Sequence, residues 1–169
     1  MLHRNRGVRR HEIVNPATLT ENVRASFLDE SAAVPHMTLR GGNALDEYKP
    51  APPFDASQDF ASAEYLERYA WGVGYLDAAS WRHYLPQLVA HAIEHVSEGS
   101  NSVDALLNSL RPPDREPPRL ASLSKAQEIA IAEFLDYMAF SGGSVHQELA
   151  CLALEEWWAP GALFRAGTE

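Results

Sequence analysis

The stretch from Tyr75 to Gly99 constrains the fold more than any other part of the chain. Its apolar residues recur at helical spacing and form one stripe, which comprises Leu85, Leu88, Val89, Ala92, Ile93 and Val96. Asp77 is a suitable N-cap for a short helical turn over 78–83. Pro86 then suits the first turn of a second helix, where its missing N–H costs nothing, and Gly99 suits the end of that helix. A stripe this regular predicts a core helix that other helices cover.

Capping residues, prolines and glycines predict the other helices. They make about six helices in all, and those besides the central one cover 16–31, 63–71, 103–110, 125–141 and 145–158. Ser102 is the expected cap of the third of these. The last two begin at predicted capping boxes, Ser124 with Gln127 and Ser144 with Gln147.

Residues 36–61 differ from the rest, because glycines and prolines there exclude a long helix. Leu39–Asn43 is rich in glycine and predicts a turn, while a short strand is compatible with Met37–Arg40. The sequence therefore predicts an all-α fold, a compact bundle of about six helices with a long Pro-rich loop and few or no strands. We expect one helical domain over 13–160, a basic disordered tail over 1–12 and a C-terminal tail over 161–169.

The chain is acidic, with a formal net charge of −9, although its first twelve residues are basic. An acidic body repels phosphate groups, which argues against nucleic acid or an anionic membrane as partner and favours a basic protein surface. No segment approaches the roughly 20 apolar residues of a membrane span. Cys151 is the only cysteine and is expected to be a buried small apolar residue. Nothing indicates an oxidising compartment, so the cytoplasm is the expected location.

The long loop and the helix after it combine carboxylates with aromatic side chains. One interpretation is a partner-binding surface, in which carboxylates meet lysine and arginine and aromatic rings act as anchors. Its predicted residues are Asp46, Glu47, Tyr48, Phe54, Asp55, Asp59, Phe60 and Glu64. The competing interpretation is a solvated loop and helix edge without a binding role.

His91-Ala92-Ile93-Glu94-His95 matches H-x-x-E-H, the inverted zinc-peptidase pattern. Two histidines on successive helical turns can share a metal, and Glu94 could act as a base. A third ligand would have to come from another helix, for which Glu155 or Glu156 is the candidate. The favoured interpretation is that His91 and His95 are surface residues without a metal, because the helical wheel places them on or near the polar side.

The core is predicted where the central helix and the helix over 125–141 touch each other. Its expected residues are Leu88, Val89, Ile93, Val96, Ile131, Phe134, Leu135 and Met138. The last helix is apolar on two sides, so it must be covered twice. We expect the second cover to come from the N-terminal helix or the long loop, and a homodimer through Trp158 is the alternative.

The run from Tyr75 to Pro86, with its W-x-x-Y-L-P helix start, resembles the signature of an uncharacterised bacterial family. Later segments, Leu107–Pro113 and the Leu-Ser-x-x-Gln helix start at Leu123–Gln127, resemble the same family in order and spacing. The resemblance covers about 18–157. Since the family is a domain of unknown function, the resemblance implies an α-helical fold and no particular activity.

Two functions are consistent with these observations. The first is a non-catalytic interaction domain, most concretely a bacterial immunity or inhibitor protein that neutralises a basic toxin by binding it, with no catalytic residue and no cofactor. The alternative is a metal-dependent hydrolase that uses His91, Glu94 and His95. Stoichiometric zinc in the purified protein would separate the two.

Overall fold

The computed structural model describes residues 14–165, and within this range the chain forms helices and turns without a strand. The predicted all-α fold is therefore confirmed. The α-helices are α1 (Pro16–Ser26), α2 (Leu28–Ala32), α3 (Leu39–Asp46), α4 (Ala63–Arg68), α5 (Ala78–Glu94), α6 (Asn101–Ser109), α7 (Lys125–Phe140) and α8 (Gln147–Ala153). Two 3-10 helices, Ala70–Tyr75 and Leu120–Ser122, and a π-helical turn, Leu154–Trp158, complete the fold. The predicted basic tail over 1–12 lies outside the described residues.

The central helix α5 is one continuous helix rather than a short turn followed by a second helix. Asp77 caps it as predicted, since its Oδ1 accepts a hydrogen bond from Ser80 N at 2.8 Å. Pro86 lies inside the helix, where an absent N–H and ring strain cost about 3 kcal/mol. Fully buried side chains from Trp81 to Val89 continue through the proline, so their burial outweighs this local cost.

The ends of α5 and α6 also differ from the prediction. α5 ends at Glu94 instead of continuing to Gly99. Ser100, not Ser102, caps α6, and its Oγ accepts a hydrogen bond from Val103 N at 3.1 Å. The reason is local: Ser100 is the residue that stays extended, whereas Ser102 is already helical and buried.

The core joins α5 and α7 mainly through α1, which packs against both helices. α5 also packs on α2 and α6, and α7 also packs on α8. The predicted core residues are all buried except Val96, which is half-buried at the edge of the core. The buried side chains of α5 and α7 belong to one common core, and α1 packs against both helices.

Leu39–Asn43, expected to form a turn, lies in helix α3, and no strand forms at Met37–Arg40. Thr38 caps α3 by accepting a hydrogen bond from Gly41 N at 2.8 Å. Its glycines serve close packing on the 3-10 helix Ala70–Tyr75, because a Cβ on Gly42 would lie 2.5 Å from the Gly72 carbonyl oxygen. A Cβ on Gly72 would be closer still to the Leu39 carbonyl. The two backbones can therefore meet only where both residues lack a side chain.

The last helix is shorter than predicted. No capping box forms at Ser144, because its Oγ donates to the Met138 carbonyl at 2.6 Å and the helix begins only at Gln147. Trp158 is 7% exposed, and its indole N–H donates to the Leu110 carbonyl at 2.7 Å. The expected second cover is thus found within the chain, but it comes from the end of α6. The indole of Trp158 is consequently not exposed as a dimer anchor would be.

Two smaller findings bear on the expectations from sequence. Cys151 is half-buried rather than buried. No helix in residues 14–165 is long and apolar enough to cross a membrane.

Candidate functional site

The predicted partner-binding segment divides into a buried half and an exposed half. Asp59, predicted as a partner-binding residue, belongs to the buried half, with only 7% of its surface exposed, so it is not on a surface that a partner could reach. Arg40 of α3 binds its carboxylate with two hydrogen bonds, Nε to Oδ1 at 3.0 Å and Nη2 to Oδ2 at 2.8 Å. Tyr65 of α4 donates its hydroxyl to Oδ1 at 2.8 Å. Asp59 therefore attaches the loop to two helices instead of facing a partner.

The pKa of Asp59 is lowered despite its burial. Burial alone raises the pKa of a carboxyl group, but the hydrogen bonds from Arg40, from the Asp55 backbone N–H and from Tyr65 outweigh it. The carboxylate is consequently charged at neutral pH and paired with Arg40 inside the protein.

Asp55, the second acid of the buried half, is half-buried and organises a turn. Its Oδ1 accepts hydrogen bonds from the backbone N–H of Ser57 at 2.9 Å and from the Ser57 hydroxyl at 2.6 Å. Its Oδ2 accepts a hydrogen bond from Gln58 at 3.0 Å. Arg40 also donates to the Pro53 carbonyl at 3.1 Å. The Pro-rich loop is therefore held by its own acids and by α3.

The exposed half begins where α3 ends. Asp46, Glu47 and Tyr48 are all exposed there, and Tyr48 is 99% exposed with φ at 59°. Tyr75, at the end of the 3-10 helix, donates its hydroxyl to Asp46 Oδ1 at 3.1 Å and is itself partly exposed. We call these four residues, Asp46, Glu47, Tyr48 and Tyr75, the acidic patch.

Tyr75 was not predicted as part of this site. The hydrogen bond to Asp46 raises the pKa of the Tyr75 hydroxyl, with smaller contributions from burial and from neighbouring charges. Glu47 pairs with Lys49 at 2.6 Å, both side chains being largely exposed. The patch thus presents two carboxylates and two phenol rings on the platform that α3 and the 3-10 helix form.

The other predicted partner-binding residues are exposed but do not belong to this patch. Phe60 and Glu64 line a shallow groove of about 330 Å³ together with Arg68 and Tyr69 of the next turn. None of the acidic patch residues lines this groove. Phe54 is partly exposed in the loop between the two places. The structure therefore brings only three of the eight predicted residues together at the end of α3.

His91 is 4% exposed, which contradicts its predicted position on the surface. Its Nε2 lies 2.7 Å from Glu67 Oε1, and the Ser100 hydroxyl donates to the same carboxylate oxygen. His95 is half-buried and stacks on His91 with ring centroids 4.1 Å apart. The helical wheel failed here because α4 and the start of α6 cover the side of α5 that it assigned to solvent.

Both histidines of the H-x-x-E-H run are engaged in contacts within the protein. Glu94 is exposed, and Glu156 forms a two-pronged ion pair with Arg111 at 2.9 and 2.8 Å. No group of three or more His, Cys, Asp or Glu side chains within 14–165 is arranged to hold a metal ion. In the Ser100–Glu67–His91 group the carboxylate lies between the hydroxyl and the imidazole, so the histidine does not contact the serine that it would have to activate.

Sequence reasoning missed a cleft of about 570 Å³ beside the acidic patch. It is lined by the 3-10 helix Ala70–Tyr75, by α6 and by residues 111–120. The connection over 111–119 is polar and rich in proline, a composition typical of an extended, solvated segment. Instead Arg119 is 4% exposed and donates to the carbonyls of Val73 at 3.0 Å, Gly74 at 3.3 Å and Leu76 at 2.5 and 3.0 Å. Nothing in the R-P-P-D-R-E-P-P-R run distinguishes this buried arginine from its exposed neighbours.

No curated protein sequence and no solved structure matches the chain. The model of a family of unknown function, DUF6714, matches residues 15–162. The matched range begins at the cap of α1 and ends beyond the π-helical turn, so it includes the acidic patch, the histidine pair and the cleft. The predicted membership in a family of unknown function is confirmed: the chain belongs to DUF6714.

Proposed function

We propose that the protein is a non-catalytic interaction domain that binds a basic protein through the acidic patch. Its most concrete form is an immunity or inhibitor protein that neutralises a basic toxin or effector by binding it. The observation that carries the proposal is Tyr48, a 99% exposed ring in a left-handed backbone conformation between exposed carboxylates and Lys49. This conformation ends α3, since the Lys49 N–H donates to the Ala44 carbonyl at 2.8 Å, and it leaves the tyrosine ring in solvent, where a partner could reach it.

The electrostatics of the patch favour a cationic partner. Asp46 and Glu47 lie at the C-terminal end of α3, where the helix dipole adds a partial negative charge. The whole chain is acidic, with a net charge of −9, so a basic protein would be attracted from a distance. Tyrosine is well suited to such a surface because it offers a large contact area at a low cost in conformational entropy.

The platform under the patch supports recognition because it is rigid. α3 meets the 3-10 helix at Gly42 and Gly72 with backbone in contact with backbone. Arg40, on the same helix, is fixed by Asp59. A surface that is ordered before binding loses less entropy when a partner docks, so these contacts would raise affinity without touching the partner.

The alternative, a metal-dependent hydrolase built on His91, Glu94 and His95, has less support. The Nε2 of His91 is 2.7 Å from Glu67, and the Nδ1 of His95 is 2.9 Å from the His91 carbonyl. A bound metal would have to displace one of these contacts and find a third ligand. Stoichiometric zinc in protein purified without added metal, lost on His95→Gln, would favour the hydrolase over the interaction domain.

The proposal is tested by affinity capture from an extract of the source cells with three immobilised baits. They are the wild type, a patch variant and a control variant with the same change in charge and aromatic content elsewhere. The patch variant carries Asp46→Asn, Glu47→Gln and Tyr48→Ala, and the control carries Asp29→Asn, Glu155→Gln and Phe140→Ala, all at exposed positions.

We expect one basic protein to bind the wild type and the control and to be lost from the patch variant. The captured protein should then bind the purified wild type at a defined ratio. Capture that survives in the patch variant, or the absence of any protein that distinguishes it from the control, would refute the assignment of this surface.

A further inference from the structure

The 570 Å³ cleft beside the acidic patch is of the size of small-molecule sites, which span about 300–1,000 Å³. One wall is the exposed Trp71 of the 3-10 helix, and another is formed by Pro112, Pro113 and Leu120. Asn108 and Ser109 of α6 add polar groups. The cleft therefore combines apolar walls with a few polar side chains, as ligand sites do.

Three arginines line this cleft in a chain whose overall charge is strongly negative. Arg111 is neutralised by its ion pair with Glu156. Arg119 is buried and bonded to neutral carbonyl groups through Nε and Nη2, which leaves Nη1 unused by those carbonyls. The Arg115 guanidinium is exposed and makes no ion pair or side-chain hydrogen bond with residues 14–165. Two of the three positive charges thus lack a carboxylate in hydrogen-bond contact.

The two acidic side chains that line the same cleft, Asp104 and Asp114, contact groups other than the arginine guanidinium groups. Asp114 accepts backbone hydrogen bonds through both oxygens: Oδ1 from Arg115, Arg119 and Leu120, and Oδ2 from Ala121, at 2.7–2.9 Å. These bonds lower its pKa although burial opposes them. Asp104 lies 3.5 Å from the Nδ1 of His146. Neither carboxylate forms an ion pair with Arg115 or Arg119.

The electrostatic environment of Arg119 also favours an anion in this cleft. Burial, with repulsion from Arg115, lowers the pKa of the Arg119 guanidinium to about 10, and the attraction of Asp114 and Asp77 only partly offsets this. Arg119 still carries its charge at neutral pH. A negative group between the two arginines would relieve their repulsion, and arginine is the residue that best matches the geometry of carboxylate and phosphate oxygens.

We propose that this cleft binds a small organic anion, whose carboxylate or phosphate group lies between Arg115 and Arg119 and whose apolar body packs on Trp71. No residue of the acidic patch lines this cleft, so failure of the proposed anion binding would leave the proposed protein-binding function standing.

The test uses three aromatic probes of similar size: benzoate, phenyl phosphate and the neutral benzyl alcohol. Each is titrated into ¹⁵N-labelled full-length protein while the indole N–H signal of Trp71 is followed, this signal being assigned with Trp71→Phe. The same titrations are made with Arg115→Gln and with a control, Arg24→Gln, which removes an exposed arginine of α1. Arg115 is chosen because its exposed side chain can be changed without disturbing the fold.

We expect at least one anionic probe to shift the Trp71 signal saturably and benzyl alcohol to have no effect. Arg115→Gln should weaken binding of that probe at least tenfold, and Arg24→Gln should leave it unchanged. The comparison of benzoate with phenyl phosphate shows which anion the site prefers. Equal binding by Arg115→Gln, equal binding of benzyl alcohol, or no binding of either anion would overturn the proposal.

Discussion

Asp59 and Asp46 belong to the same acidic, aromatic-rich segment, yet their environments are opposite. Asp59 is enclosed between α3 and α4 and bound by Arg40 and Tyr65. Asp46 is exposed at the end of α3 and makes one hydrogen bond, with the hydroxyl of Tyr75. The two carboxylates look equivalent in sequence, so composition alone could not tell a fold-forming acid from one that is free to meet a partner.

The difference arises from the position of Arg40. As a member of α3 it projects toward the loop and selects Asp59, whose charge is then needed inside the protein. No basic side chain ion-pairs with Asp46 among residues 14–165. The comparison teaches that one half-buried arginine can divide an acidic segment into an anchor and an interaction surface.

The largest expected effect comes from breaking the anchor. Asp59→Asn removes the charge that neutralises Arg40, and loss of one member of a buried ion pair costs about 3 kcal/mol or more. We expect the free energy of unfolding to fall by that amount in urea denaturation. Asp46→Asn is the matched control and should change it by no more than about 0.5 kcal/mol. Similar losses in the two variants would contradict the division of the segment.

Lowering the pH should reduce the contribution of Asp59 to the free energy of unfolding. The pKa of Asp59 is lower in the folded protein than in the unfolded chain, where an aspartate has a pKa of about 3.9. The stabilisation is therefore fully present above about pH 4 and is lost as the pH falls through the lower folded-state pKa. The difference in stability between the wild type and Asp59→Asn should shrink over this range, and a difference that grows below pH 4 would show the opposite sign of the shift.

The second effect tests the platform that carries the exposed half. Gly72→Ala places a methyl group against the Leu39 backbone, and overpacking of this kind costs about 1–3 kcal/mol. Gly74→Ala is the matched control, because a Cβ at Gly74 would meet no atom within 4 Å. Denaturation midpoints should separate the two variants clearly. If both variants unfold like the wild type, the backbones of α3 and the 3-10 helix do not approach each other as closely as the structure shows.

His91 extends the same contrast to histidine. His91→Gln disturbs a buried ring that contacts Glu67 and His95, and an imperfectly satisfied buried group costs about 1–3 kcal/mol. We expect about 1 kcal/mol, since glutamine can replace part of the contact with Glu67. His36→Gln, at an exposed position, should leave stability unchanged. A His91→Gln variant that is as stable as the wild type would instead support the surface position that the helical wheel predicted.

The smallest effect on stability is expected in the acidic patch itself. Asp46→Asn, Glu47→Gln and Tyr48→Ala should each change the free energy of unfolding by no more than about 0.5 kcal/mol, as surface substitutions usually do. Thermal unfolding of the triple variant checks this. A large loss would mean that these side chains stabilise the fold, and binding data from the variant could then not be interpreted as loss of contact.

The helices could be predicted from sequence where their signals are local. Asp77 and the capping box of Ser124 with Gln127 were recognised because cap and partner lie within one turn. Pro86 was misread because its local signal favours a helix start, whereas burial along the whole of α5 decides the outcome. α3 was missed because its glycines signal a turn until the opposing 3-10 helix is known.

The candidate sites were harder to predict, because their residues meet across long stretches of chain. The exposed run Asp46–Tyr48 was correctly placed on the surface, but Tyr75 joins it only through packing of α3 on the 3-10 helix. Arg119 and His91 depend on carbonyl or carboxylate partners far away in sequence. No periodicity reports such pairings, so a polar residue with a distant partner is indistinguishable from a solvated one.

The central claim is that the acidic patch, and not the acidic segment as a whole, meets a basic partner. The most direct test measures association of the captured partner with the wild type, the patch variant and the control variant by stopped flow at low and high salt. We predict that association of the wild type and the control slows as salt rises, because exposed charges act mainly on the association rate. The patch variant should associate more slowly and with a weaker dependence on salt. Association rates that are the same for all three proteins at both salt concentrations would contradict the claim.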